Sequence, residues 1–104
     1  MASSEMEIYI FARFHARAGD EPAVEEAIRR VIVPTRQEEG CLSIHAFRSL
    51  KDARLFYIHS HWKSEEAFVI HAELPHTVEF INTVEPLLDH PLDVTRSELL
   101  KTTA

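Results

Sequence analysis

The chain has 104 residues, the size of one domain, and its 45% hydrophobic and 27% charged residues are the proportions of an ordinary folded protein. Its net charge of −6 with histidines neutral argues against nucleic acid as a partner, since phosphate binding needs a basic stripe. No apolar run is long enough to span a membrane, and a single cysteine allows no internal disulfide, so a cytoplasmic, reducing compartment is expected.

Residues 1–5 carry neither a basic start nor a long apolar run, so they read as a disordered tail and not as a signal peptide. One domain is expected over 1–104, with a core of about 6–98 and a second tail at 99–104. Strand 1 is expected over Glu7–Arg17: Ile8, Ile10, Ala12 and Phe14 point one way, and Tyr9, Phe11, Arg13 and His15 the other. Asp20 reads as a helix N-cap, with Pro22 in the first turn and an apolar face of Val24, Ala27, Ile28 and Val31. Pro34 cannot bond the carbonyl of Arg30, so a kink or break is expected there, and Gly40 reads as the residue after a last short turn. Arg29, Arg30 and Arg36 lie among acidic residues and read as a solvated face. Cys41 reads as a small buried hydrophobe and not as a nucleophile.

Strand 2 is expected at about Leu42–Arg48, a hairpin loop at 49–53, and strand 3 at Arg54–Trp62. Ser64 offers a hydroxyl to a helix whose first turn holds Glu65 and Glu66. That helix is expected to break at Leu74-Pro75 and restart in a new register of His76, Phe80, Val84 and Leu87. Leu92–Glu98 is strand 4. The order β-α-β-β-α-β is the ferredoxin-like α+β plan, a four-stranded antiparallel sheet with its helices on one face. Large groups stand on the other face too, among them Phe11, Tyr57 and His59, so a homodimer with face-to-face sheets is expected.

The run Pro34-Thr35-Arg36-Gln37-Glu38-Glu39-Gly40-Cys41-Leu42, followed by Phe56, Trp62, Ser64, Glu66-Ala67, His71 and Pro75-His76, resembles the antibiotic biosynthesis monooxygenase domain. The resemblance covers about residues 6–95. It implies a dimeric α+β barrel that oxygenates quinols, anthrones or related phenols with O2 and without flavin, haem or metal. Two positions depart from the family pattern: Ser60 stands where Glu is usual, and Ile44 where Tyr is frequent. The haem-degrading branch matches less well, because its strand-1 Asn corresponds to Ala12 and its helix Trp to His71; only His76 fits its histidine.

His71 shares the apolar face of Ala67 and Phe68. Such a histidine is either a core imidazole bonded to a carbonyl or a base for a phenolic proton; the residues alone lean to the first, and the resemblance brings the second level with it. His76 either lines the same pocket or caps the restart after Pro75. Trp62, Phe68 and Phe80 are candidate walls for a flat aromatic substrate, with Ser60 beside them. The five-residue spacing of His71 and His76, with a proline between, is wrong for a metal pair on one helix. His45, His59 and His61 share a strand face and could bind a metal, but their parity turns them toward a partner sheet. There is no triad, P-loop or dinucleotide fingerprint. The first reading is a cofactor-independent oxygenase of a small aromatic. A non-catalytic ligand-binding dimer and a haem oxygenase-like protein are the alternatives.

Overall fold

The computed structural model describes residues 6–103, so the expected N-terminal tail and Ala104 lie outside the described residues. Strands β1 (Ile8–His15), β2 (Cys41–Arg48), β3 (Leu55–Trp62) and β4 (Asp93–Ser97) form one antiparallel sheet in the order β2-β3-β1-β4. Helices α1 (Glu21–Thr35), α2 (Glu65–Glu73) and α3 (Pro75–Val84) cross one face, and a 3-10 turn at Glu85–Leu87 leads toward β4. This is the α+β, ferredoxin-like plan expected from the alternation of the strands. No helix among the described residues is long and apolar enough to cross a membrane.

Register explains the layering. Ile8, Ile10, Ala12 and Phe14 of β1 pair with Trp62, Ser60, Ile58 and Phe56 of β3, and all eight are buried beneath the helices. Val24, Ile28 and Val31 of α1 and Phe80 and Val84 of α3 complete that core. A separate small cluster joins Ile8, Ile10 and Trp62 to Ala67 of α2. The alternate residues of the strands point to the uncovered face. There Phe11, Phe47 and Tyr57 remain 51%, 54% and 38% exposed.

The breaks in the chain fall only partly where the sequence places them. Leu74, with ψ of 149°, leaves the helical region between α2 and α3, as the residue before a proline is biased to do. At Pro34 no break occurs: α1 runs through it to Thr35. The proline falls in the final turn, where little helix remains for it to disrupt. Gly40 is not the expected left-handed cap, since the one glycine with positive φ is Gly19. Its reason is space: a Cβ on Gly40 would lie 2.4 Å from the Cβ of Ala67. Asp20 holds the N-cap position without a side-chain bond, whereas Ser64 accepts from the Ala67 N–H at 3.1 Å. Arg36 is not merely solvated, because its guanidinium donates to the Ile44 carbonyl across to β2 at 2.9 Å.

Candidate active site

A cavity of about 240 Å³ lies between α2, α3 and the sheet. Ile10, Ile58, Ser60, Phe68, His71 and Phe80 are among the side chains that line it. Its volume is a little below the roughly 300–1,000 Å³ of drug-sized ligand pockets, and its lining of apolar groups with few polar ones is their usual character.

His71 reaches this cavity because the first turn of the short helix α2 is held at two points. Ser64 caps its start, and the Gly40–Ala67 approach seats its first turn against the loop after α1. Two turns on, the imidazole lies 4.6 Å from the Trp62 ring and 5.5 Å from Phe68, centroid to centroid. Trp62 is fully buried behind it, with its indole N–H donating to Ser60 Oγ at 2.9 Å. Of the four expected substrate contacts, Ser60, Phe68 and Phe80 line the cavity. Trp62 backs His71 and does not face the space itself.

Glu38 belongs to the run that carries the family resemblance, but nothing in its charge pattern assigns it a role in the site. Its Oε2 accepts from His71 Nδ1 at 2.8 Å and from His76 Nε2 at 2.7 Å. Its side chain is 11% exposed, while that of neighbouring Glu39 is 93% exposed and reaches only toward Lys63. The proton donated to Glu38 fixes the His71 tautomer, so the lone pair lies on Nε2. Burial pushes the His71 pKa below its ordinary 6.5, with Glu38 pulling the other way, and the ring is held neutral.

His76 does not share the cavity. It lines an outer groove of about 180 Å³ with Arg30, Pro34 and Glu79, so His71 and His76 face different spaces and meet at Glu38. On the open sheet face, His45 pairs in register with His59, as expected. His61 is bound instead to Glu7 at 2.7 Å and stacked on Tyr9 at 4.1 Å. These three imidazoles do not form a ligand set; the convergent groups among the described residues are Glu38-His71-His76 and His15-Asp89-His90. Cys41 is half-buried, and burial raises its thiol pKa, which disfavours the thiolate.

Residues 7–83 match the sequence model of a family described as antibiotic biosynthesis monooxygenase. The chain belongs to that family. Among relatives, the Mycobacterium tuberculosis protein named "Putative monooxygenase Rv0793" is 30% identical over 88 residues, covering 85% of this chain and 86% of that one. "Putative monooxygenase YcnE" of Bacillus subtilis is 35% identical over 65 residues, 62% of this chain and 68% of that one. The solved structure of Rv0793 superposes with a TM-score of 0.87 at 26% identity, covering 94% of this chain and 99% of that one. PA3566 from Pseudomonas aeruginosa gives 0.86 at 26% identity over 94% and 98% of the two chains. The stretch matched by the family model runs from β1 into the last turn of α3 and so includes Glu38, His71 and the α2–α3 break of this chain.

Proposed function

We propose that this protein is a monooxygenase of a small phenolic, quinol or polyketide-like aromatic, acting with O2 as a homodimer and using the substrate's own electrons. The observation that carries this reading is His71: a neutral imidazole, oriented by a half-buried carboxylate, in the wall of an otherwise mostly apolar cavity. An acidic O–H or C–H placed there loses its proton to Nε2, and Glu38 stabilises the imidazolium that forms. The electron-rich anion passes one electron to O2, and the resulting radical pair combines at carbon as a peroxide. Loss of water then leaves a carbonyl. The imidazolium returns its proton to the peroxide, whose carbon must still carry a hydrogen for water to leave; one oxygen atom enters the substrate, the other leaves as water, and all four electrons come from the substrate as a CH2 becomes a C=O. Phe68 and Phe80 provide flat walls and exclude solvent, and Ser60 offers a hydroxyl where the family usually has Glu.

The sheet face bearing Phe11, Phe47 and Tyr57 is the support for the homodimer, because these exposed apolar groups sit together on a surface that no helix covers. Oxygen uptake with a panel of quinols and anthrones tests the reaction. His71→Ala should lower turnover by about 10² or more, and His71→Gln should retain ligand binding while losing turnover. Both variants should keep the wild-type circular dichroism. Full turnover in a folded His71→Gln protein would end the case for this base.

A further inference from the structure

Glu38, His71 and His76 come from three separate segments: the loop after α1, the last turn of α2 and the first turn of α3. On one continuous helix, residues five apart point in different directions. The extended Leu74 resets the chain, and both imidazoles then turn to a single carboxylate oxygen. The three ligand atoms, Glu38 Oε2, His71 Nδ1 and His76 Nε2, lie within 4.8 Å of one another. Two imidazoles and a carboxylate are the donor set that suits Zn2+ and its first-row neighbours, not Mg2+ or Ca2+, which want oxygen.

We propose that Glu38, His71 and His76 bind a divalent first-row transition ion of the Zn2+ type, and that the ion removes the lone pair His71 has for the cavity. Bonds of about 2.0–2.1 Å to zinc set neighbouring ligand atoms roughly 3.3 Å apart. The N···O separations of 2.8 and 2.7 Å must therefore open by about half an ångström. His76 has room to do so, since its side chain is 26% exposed and borders the outer groove, which also supplies water for the open coordination position.

Protons balance without loss from either ring. The His71 proton moves from Nδ1 to Nε2, and the His76 proton from Nε2 to Nδ1, leaving both imidazoles neutral with the metal on the vacated nitrogen. His71 then presents an N–H to the cavity where it had a lone pair. A base becomes a donor, and the ion acts as an off-switch. Only this second half rests on the oxygenase reading; ion binding stands by itself.

The other convergent group, His15-Asp89-His90, lacks this capacity. The Asp89 carboxylate already holds the Arg54 guanidinium on Oδ2 at 2.6 Å, next to the Oδ1 that both histidines face, so a fixed cation there repels an incoming ion. No Arg or Lys bonds to Glu38 among the described residues.

The test is titration of chelator-treated protein with Co2+, read by its visible d–d absorption and by competition with Zn2+. We expect one ion per chain. Glu38→Gln and His76→Gln should each weaken binding by at least the 10–100-fold that losing even an outer-shell partner costs. His90→Gln and His59→Gln should leave it unchanged. Nitrogen-15 NMR should show the His71 proton transfer from Nδ1 to Nε2 on adding Zn2+. Should Glu38→Gln fail to fold, His76→Gln decides the matter, because its ring lies toward the outer groove. No binding at micromolar ion, binding indifferent to His76→Gln, or binding lost in His59→Gln or His90→Gln would overturn the site. Binding with the His71 proton still on Nδ1 would overturn the off-switch.

Discussion

Replacing Gly40 by alanine isolates the contact that seats α2. The new Cβ would meet the Ala67 Cβ at 2.4 Å, more than an ångström inside the 3.5–4.0 Å of ordinary carbon contact. Neither atom can swing away, because a Cβ moves only with its backbone. Overpacking of this kind costs about 1–3 kcal/mol. Gly40 has no positive φ, so alanine also restricts the unfolded chain and returns about 0.4–1 kcal/mol. The net loss is then about 1–2 kcal/mol. At about 4–8 °C per kcal/mol for a domain of this size, Tm should fall by roughly 4–16 °C. Differential scanning fluorimetry at fixed protein concentration measures it, the concentration being held because the Tm of any self-associating protein depends on it. The decisive form is a double-mutant cycle. Ala67→Gly alone should cost about 1 kcal/mol of helix propensity. In its background the Gly40→Ala change should become neutral or stabilising, a coupling of about 1–3 kcal/mol. If the two effects simply add, or if Gly40→Ala leaves Tm unchanged, the close approach does not govern this junction.

The other end of the sheet should be pH-sensitive. Hydrogen bonds to Asp89 and then Asp52 raise the His15 pKa above 6.5, with Arg54 and His90 the other charged or titratable groups at the junction. The stabilisation by protonated His15 is fully present below its unfolded pKa and fades as pH rises through the raised folded value. Asp52 and Asp89 are both depressed below 3.8, by the Arg54 backbone N–H first for Asp52 and by His15 first for Asp89, so their contribution is present above that pH and lost in acid. The Tm difference between wild type and His15→Asn should therefore peak between about pH 4 and 6.5 and shrink on either side; a flat difference across that range would count against the clamp. Sedimentation should show a dimer at micromolar concentration that Phe11→Glu dissociates, and a purely 12 kDa wild-type species would exclude it.

The strands were legible because a half-buried strand must alternate, and Ile8 to Phe14 and Phe56 to Trp62 do. His71 was legible for a similar reason, since helical spacing ties it to Ala67 and Phe68. Ser64 and Pro75 announce helix ends through local chemistry that tertiary structure left in place. Glu38 was not legible. It stands in a run of charged residues next to Glu39, and only the return of α2 and α3 over that loop separates the buried carboxylate from the solvated one. Gly40 misled for the same reason, because a glycine kept for a neighbour's Cβ looks in sequence like one kept for its own φ. Pro34 misled because its cost depends on how much helix follows it, and here that is a single residue.

Of the nine residues of α2, Ala67 alone is fully buried. A helix so lightly committed to the core opens at a small fraction of the free energy needed to unfold the domain. α1, with six buried residues, has no such freedom. On that ground the wall of the cavity formed by α2 should open more readily than the sheet or α1. Amide exchange should run fastest along α2 among the helices, and any ligand using that opening would pass the segment that carries His71.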